Sequence, residues 1–331
     1  MGMKWLITGG CGFLGTSLIK DLSTEAGHSV RVLDNVTVGT REDLAGVAEY
    51  TETAAANLKT MQDTETFSCE LVVGDILDEH LALEVCKGAD VIVHFAANTG
   101  VPVSVAHPRE DCMANVLGTF NYLESARQNG VKRFVFASSG APAGEVEPPI
   151  HEELPAHPVS PYGASKLAGE GYCSAYFRSY GIDTVALRFG NVYGPGSLHK
   201  SSVVAKFIRR ALDGETLEIY GDGTQTRDFI YIDDLVEAVR LAATVESIGG
   251  EAFQIATNRE TTVGEMTELL VSVLADVGVR NIKVINGEIR LGDVKRNFSD
   301  TTKARERMDW EPKIELVDGL KLTASYFGAL F

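Results

Sequence analysis

The sequence predicts an α/β protein: a doubly wound parallel sheet followed by a smaller, mixed α/β C-terminal domain. Short apolar runs alternate with helical segments through the first half of the 331-residue chain, which is typical of a parallel sheet covered on both faces. From about residue 190 this alternation gives way to glycine loops at 194–196 and 221–223 and to short elements. We therefore expect one domain over residues 1–189, to which some later chain returns, and a second over 190–331.

The first element is a strand, a tight glycine turn and a helix within residues 4–15. Residues 5–7 form an apolar run, and apolar residues recur at helical spacing from Phe13. The glycines between them fit two dinucleotide-binding patterns, Gly10-x-Gly12-x-x-Gly15 and the wider Gly9-x-x-Gly12-x-x-Gly15. In the wider pattern Gly9 permits the turn, Gly12 lets a pyrophosphate approach the backbone, and Gly15 lets the helix pack closely. The N–H groups at the start of the helix suit that pyrophosphate.

A second strand at 29–33 ends in Asp34, about twenty residues after the last glycine. A carboxylate at this place accepts hydrogen bonds from an adenine-ribose 2′-OH and repels a 2′-phosphate. The alternative is an ordinary polar residue at the end of a strand. Because the glycines precede it, we interpret Asp34 as a cofactor ligand and predict NAD rather than NADP.

The remaining elements follow the same pattern. A polar connection leads into an acid-rich stretch, 41–68, which we expect to be a helix on the surface. Further strands are expected at 71–73, 91–97, 133–137 and 184–189, with long helices at 111–128 and 160–180. In the C-terminal half, helices are expected at 235–245 and 263–277.

Charge and cysteine usage exclude several classes of protein. A formal charge of −16 argues against binding to nucleic acid or to an anionic membrane. The five cysteines are scattered and odd in number, without C-x-x-C spacing, so we expect reduced thiols and no metal site. No apolar run reaches membrane-spanning length, and the first strand leaves no room for a signal peptide, which predicts a cytoplasmic protein.

The candidate catalytic residues are Ser139, Tyr162 and Lys166. Tyr162 and Lys166 are spaced i, i+4 on a predicted helix, so that the ammonium can lie beside the phenol. A neighbouring cation favours the phenolate and lowers its pKa, as the positive charge of oxidised NAD also would. Ser139 ends a strand at the edge where parallel sheets place ligands, and its hydroxyl can bind a substrate oxygen. Such a Tyr–Lys pair also occurs by chance on helices. A nucleophilic serine is disfavoured because no G-x-S-x-G surrounds Ser139.

Together these motifs resemble the extended short-chain dehydrogenase/reductase family. The chain is most similar to the NAD-dependent nucleotide-sugar epimerase/dehydratase branch, especially the UDP-glucose 4-epimerases. The resemblance covers nearly the whole chain and rests on motifs in the family's order: Gly9-x-x-Gly12-x-x-Gly15, Asp34, Gly74-Asp75, Ala96-Ala97, Asn115-x-x-Gly118-Thr119, Ser138-Ser139, Tyr162-x-x-x-Lys166, Leu187 to Pro195, Gly221 to Asp228 and Arg290-Leu-Gly-Asp293.

The resemblance implies a Rossmann-type first domain, a nucleotide-sugar-binding second domain and a role in carbohydrate metabolism. It also implies a homodimer, formed through the helices at 111–128 and 160–180. The implied NAD-binding residues are Gly9, Gly12, Phe13, Leu14, Gly15, Asp34, Asn35, Asp75, Ile76, Phe95, Ala96, Ala97, Asn115, Tyr162 and Lys166. The implied substrate-binding residues are Ser139, Tyr162, Asn191, Arg227, Arg290 and Asp293, of which the arginines suit phosphate.

Two departures from the family pattern bear on the reaction. Ala143 stands where the family usually has Tyr, which concerns the shape of the sugar pocket. Gly140 and Ala141 follow Ser139 where dehydratases and decarboxylases usually carry acids, and neither residue can transfer a proton. We therefore expect 4-epimerisation of UDP-glucose, UDP-galactose or their N-acetyl forms. The alternatives are a dehydratase or decarboxylase of the same family, or a non-catalytic NAD-binding sensor.

Overall fold

The computed structural model describes residues 2–197, 200, 202–289 and 294–329, and its central feature is an eight-stranded sheet. In chain order its strands are Lys4–Thr8, Ser29–Asp34, Thr51–Glu52, Ser68–Val73, Val91–His94, Arg133–Ser139, Asp183–Phe189 and Glu251–Ile255. In the sheet they lie in the order eighth, seventh, sixth, fifth, first, second, fourth, third. Short strands form separate pairs elsewhere: Asn191–Tyr193 with Phe229–Tyr231, Leu217–Tyr220 with Val284–Gly287, and Thr226–Arg227 with Thr261–Thr262.

The centre of the sheet is parallel, as the apolar runs predict. The first strand pairs in parallel with both the second and the fifth, and the fifth pairs in parallel with the sixth. Their side chains are almost completely buried, which explains why these runs lack polar alternation. The strand order reverses beside the first strand, and the crevice at the carboxyl ends there is where such sheets bind ligands. The glycine turn and Ser139 both lie at this edge.

The α-helices of the described chain are Phe13–Leu22, Arg41–Ala45, Glu79–Val85, Val101–Ala106, Pro108–Cys112, Thr119–Asn129, Pro161–Tyr180, Val203–Leu212, Ile232–Thr244, Val263–Asp276, Thr302–Met308 and Leu316–Gly328. A π-helical segment, Met113–Gly118, joins two of them, so the helix expected at 111–128 is composite. Short 3-10 turns lie at Ala55–Asn57 and Ala141–Ala143. None of the described helices is long and apolar enough to cross a membrane.

The prediction of a helix over 41–68 is wrong. A capping box between Thr40 and Asp43 starts a helix there, but that helix ends at Ala45 after five residues. Thr51–Glu52 then adds a short strand to the edge of the sheet, in parallel with the strand Ser68–Val73. The stretch has no apolar periodicity to sustain a helix, and the pairing partner that stabilises the short strand follows later in the sequence.

The chain forms two compact units. The first comprises residues 1–144, 155–188 and 236–253, and the second comprises residues 145–154, 189–235 and 254–331. The helix Ile232–Thr244 therefore crosses from the second unit into the first, whereas the sequence analysis places residues 235–245 in the second domain.

A buried ion pair in the first unit joins the seventh strand to the Pro161–Tyr180 helix. Arg188 donates from Nε and Nη2 to the two carboxylate oxygens of Glu170, at 2.8 and 2.7 Å, and the Ser138 hydroxyl donates to Glu170 Oε1 at 2.5 Å. Both charged side chains are buried.

Removing one partner of this pair leaves an uncompensated buried charge. We expect Glu170→Ala to lower the free energy of unfolding by about 3–5 kcal/mol, measured by urea denaturation. Glu84→Ala serves as the control, because it breaks an exposed pair with Lys87 and should cost less than about 1 kcal/mol. Equal effects of the two substitutions would contradict this account of the pair.

Candidate active site

Ser139, Tyr162 and Lys166 come together in the first unit. Ser139 ends its strand, and Ser160 caps the Pro161–Tyr180 helix by accepting a hydrogen bond from the Gly163 N–H at 3.1 Å. The first turn of that helix then brings the Tyr162 phenol into hydrogen bonding with the Ser139 hydroxyl. One turn later, Lys166 Nζ lies 6.0 Å from the centroid of the Tyr162 ring.

The polypeptide also fixes Lys166 from the strand side. Its ammonium donates to the carbonyl oxygen of Ala137 at 2.8 Å and lies 4.9 Å from the centroid of the Phe136 ring. Burial lowers the pKa of Lys166 to about 8, and the charges of Asp111 and Glu170 oppose that shift. Burial raises the pKa of Tyr162, and the hydrogen bond from Ser139 opposes that increase. Burial therefore disfavours the charged form of each group, lowering the pKa of the ammonium and raising the pKa of the phenol.

Asn115 ties the catalytic helix to the loop that follows the fifth strand. Its Oδ1 accepts from the Asn98 N–H at 2.8 Å, and its Nδ2 lies 2.9 Å from the Asn98 carbonyl oxygen. The same Nδ2 lies 3.0 Å from Asp111 Oδ1 and 3.1 Å from Ser165 Oγ. These contacts give the Asn115 carboxamide a positioning role in the site, and its predicted contact with NAD stays a prediction.

The glycine turn has the shape that a dinucleotide site requires. Gly9 has φ +70°, and a Cβ there would come within 2.8 Å of the Ala96 nitrogen. A Cβ on Gly15 would meet Gly10 Cα at 2.4 Å, so the third glycine allows the helix to pack on the turn. At Gly12 an added Cβ would meet Gly9 O at 3.3 Å and no other described atom within 4 Å, so the space beside this glycine is otherwise open. The turn therefore fits a pyrophosphate.

Asp34 lies beside this turn at the end of the second strand. Its Oδ2 accepts from the Cys11 N–H at 2.9 Å, and its Oδ1 accepts from the Val36 N–H at 2.8 Å. Burial raises its pKa, while these two hydrogen bonds oppose the increase. A carboxylate held in this way retains lone pairs for a ribose hydroxyl.

The other predicted cofactor residues lie in loops at the same edge of the sheet. Asn35 and Asp75 are exposed, and Asp75 Oδ1 accepts from the Leu77 N–H at 2.9 Å. The Ala96 N–H donates to Thr8 Oγ1 at 3.3 Å, which holds that loop against the first strand. The half-buried members of the set are Phe13, Leu14, Ile76, Phe95, Ala96 and Ala97.

The Asp34 geometry predicts the choice of cofactor. We expect the denatured protein to release NAD and not NADP, and we expect Asp34→Ala to weaken NAD binding, as measured by isothermal titration with the stripped protein. Asp63→Ala is the control, because the exposed Asp63 carboxylate pairs with Lys4 and belongs to none of the predicted NAD-binding residues. Recovery of NADP alone would contradict the role of Asp34.

Two predicted substrate residues lie in the second unit. Asn191 begins the strand Asn191–Tyr193, and its N–H donates to the Asp228 carbonyl oxygen at 2.7 Å. Arg227 is half-buried, and its Nη1 donates to the carbonyl oxygens of Thr226 and Val294 at 2.6 and 2.8 Å. Arg290 and Asp293 lie outside the described residues.

Two residues that contact this site, Asp111 and Ser165, were not predicted from the sequence. The Ser165 hydroxyl donates to the Tyr162 carbonyl oxygen at 3.0 Å and lies 3.1 Å from Asn115 Nδ2. Asp111 precedes Asn115 by four residues, and this i, i+4 spacing was the available signal. Among the described residues, no cluster of His, Cys, Asp and Glu could hold a metal ion, and all five cysteines are free thiols.

Comparison with known proteins identifies the class of enzyme that this fold and site define. Residues 5–256 match the NAD dependent epimerase/dehydratase family. The match covers more than half of the chain, so the protein belongs to that family, and its cofactor is NAD.

Individual relatives include both types of enzyme. A UDP-glucose 4-epimerase of Mycolicibacterium smegmatis is 35% identical over 330 residues, covering 98% of each chain. The crystal structure of a UDP-glucose 4-epimerase with UDP-glucose from Thermotoga maritima has a TM-score of 0.87 at 35% identity, covering 99% of each chain. A dTDP-glucose 4,6-dehydratase from Streptomyces venezuelae, solved with NAD and TYD bound, has a TM-score of 0.84 at 32% identity, covering 98% of this chain and 97% of its own.

Proposed function

We propose that the protein interconverts the C4 epimers of a UDP-hexose through a 4-keto sugar. The first unit holds NAD through the glycine turn and Asp34, and the second unit holds the nucleotide sugar. Bound NAD supplies a reversible hydride acceptor for the sugar C4. Protein side chains carry out the proton transfer and position the substrate.

Tyr162 is the group that takes the proton from the sugar 4-hydroxyl and returns it. Its hydrogen bond to Ser139 orients the phenol, and Ser139 also binds the substrate oxygen as the proton moves. The Lys166 ammonium, fixed on the Ala137 carbonyl oxygen, stabilises the phenolate and holds the nicotinamide ribose. The positive charge of oxidised NAD offsets the burial that raises the Tyr162 pKa.

Epimerisation is favoured by the composition of the segment that follows Ser139. Gly140 and Ala141 carry no proton-transfer group, and Ala141–Ala143 forms a 3-10 turn in which the Ala141 N–H donates to Ser139 Oγ at 3.2 Å. Ala143, at the position where the family usually has Tyr, is buried. Removal of a proton from C5, which dehydration requires, has no base in this segment. Epimerisation needs only an oxidation at C4 and its reversal.

The nucleotide is proposed to be UDP, because the Mycolicibacterium and Thermotoga relatives are UDP-glucose 4-epimerases and the latter is solved with UDP-glucose. Asn191, Arg227, Arg290 and Asp293 are assigned to the diphosphate and ribose. The medium-sized, half-buried Asn297 is compatible with plain and N-acetylated hexoses. Pro102 occupies a position where some uronate-acting members carry arginine, which disfavours uronates.

A homodimer is also proposed. The composite helix and the Pro161–Tyr180 helix both expose apolar side chains, namely Met113, Leu117, Tyr172 and Tyr180. An apolar surface on two helices of the same unit suits helix–helix packing against a second copy.

The test is incubation of the purified protein with a panel of UDP-glucose, UDP-galactose and their N-acetyl forms, without added reductant. We expect mixtures of the two C4 epimers with unchanged mass, identified by proton spectra and mass spectrometry. A product lighter by one water would instead establish the dehydratase alternative, and loss of carbon dioxide from UDP-glucuronate in a parallel incubation would establish the decarboxylase. If no sugar reacts while NAD stays bound, the sensor alternative is favoured.

A further inference from the structure

Asp111 is a buried carboxylate beside the catalytic centre that the reaction described above does not use. It is 2% exposed, and its Oδ1 accepts from Asn115 Nδ2 at 3.0 Å. Its Oδ2 is buried without a hydrogen-bond partner among the described residues, and it lines a small pocket with Asn98 and Ser104. A carboxylate in this position costs free energy unless other groups stabilise its charge.

The charge of Asp111 acts on the catalytic pair, Tyr162 and Lys166. Asp111 raises the pKa of both Lys166 and Tyr162, although burial is the larger influence on each. The helix Pro108–Cys112 that carries Asp111 packs directly against the Pro161–Tyr180 helix. Through Asn115 and Ser165, Asp111 is also linked by hydrogen bonds to the backbone of Tyr162.

The other ionisable groups near Lys166 carry little free charge. The Glu170 carboxylate is neutralised by Arg188 in a bidentate pair. Burial raises the pKa of the Cys173 thiol, which keeps it neutral, and burial lowers the pKa of His94 to about 3, so that His94 is also neutral near pH 7. His107 and Glu110 both precede Asp111, and although His107 also lines the small pocket, both side chains are exposed to water, which screens their charges. Asp111 is thus the carboxylate near Lys166 and Tyr162 that forms no salt bridge with another side chain among the described residues.

We propose that Asp111 is a positioning residue of the catalytic centre. Its carboxylate holds the Asn115 carboxamide in place and acts electrostatically on Lys166 and Tyr162. This charge stabilises the Lys166 ammonium in a buried site and opposes premature ionisation of Tyr162. It therefore sets the pH range in which the pair works. The inference rests on the proposed roles of Tyr162 and Lys166, but not on the identity of the sugar.

The test removes the charge of the Asp111 side chain and keeps its shape. In Asp111→Asn, the ionisation midpoint of Tyr162 should move to lower pH by about one pH unit. The midpoint is read from the phenolate absorbance of the NAD-loaded protein. The same titration of a matched protein that also carries Tyr162→Phe is subtracted, which removes the absorbance of the other tyrosines. Glu110→Gln is the matched control, because it removes the same charge from an exposed side chain on the same helix, and its midpoint should not move.

A second variant and a second measurement protect the test against a folding defect. Asp111→Ser also removes the charge and should move the midpoint in the same direction. Both limbs of the pH profile of kcat should shift to lower pH, since both pKa values fall together. A Tyr162 midpoint unchanged in both Asp111 variants, or an equal shift in Glu110→Gln, would overturn the proposal. The absorbance titration needs no sugar, so failure of the proposed epimerisation would leave this test intact.

Discussion

Tyr162→Phe is expected to reduce kcat at least about a hundredfold, the lower end for a positioned acid–base group. The substitution removes one oxygen atom and with it the proton acceptor and the hydrogen bond to Ser139. The ring remains to fill its place, so the fold and the NAD content should be retained. Initial rates of epimer formation, with NAD content measured on the same preparation, test this directly.

Tyr172→Phe is the matched control for that substitution. Tyr172 lies on the same helix, and 39% of its surface is exposed. Its loss of a hydroxyl should leave kcat within a factor of about two, as expected for a surface substitution. If Tyr162→Phe also stayed within a few-fold of wild type, the proton would have to be taken by another group.

Lys166→Met is expected to lower activity at pH 7 by about ten- to a thousandfold. A neighbouring cation lowers the pKa of an acidic group by about 1–3 units, and the fraction of phenolate falls by the corresponding factor when the cation is removed. Methionine has a similar length and tolerates the apolar surroundings of Phe136, so the helix should remain packed. The rate should recover partly at higher pH, where the phenolate forms without assistance.

The control for Lys166→Met is Lys87→Met. Lys87 forms an exposed pair with Glu84 and has no role in the proposed site. Its substitution should leave the pH dependence of kcat unchanged. A Lys166→Met variant with wild-type activity and pH dependence would contradict the role of the ammonium.

The parts of the fold that were predictable depend on local patterns. The buried strands of the sheet centre, the glycine turn and the Pro161–Tyr180 helix follow from apolar runs, glycine spacing and a cap at Ser160. The strand Thr51–Glu52 could not be predicted in this way, because the residues that pair with it lie nineteen positions later in the sequence, as in the pair Thr51 and Glu70. The return of residues 236–253 to the first unit is likewise determined by tertiary packing.

In the candidate site, too, some features follow from local sequence patterns and others depend on tertiary packing. Motif spacing indicated Ser139, Tyr162 and Lys166, and the structure brings these three residues together in the first unit. The spacing could not show that the Asn115 side chain is occupied by Asn98, Asp111 and Ser165, because those contacts join three separate segments. Nor could it show that Asp111 keeps one oxygen unpartnered among the described residues. Such features depend on burial, which a single sequence does not display.

The most direct test of the central proposal uses UDP-glucose with deuterium at C4. If one closed site removes and returns the same hydride, the product is the C4 epimer, its mass is unchanged and the deuterium remains at C4. Proton and deuterium spectra of the reaction mixture determine both the product and the position of the label. A product lighter by one water, with deuterium no longer at C4, would contradict 4-epimerisation and establish a dehydratase.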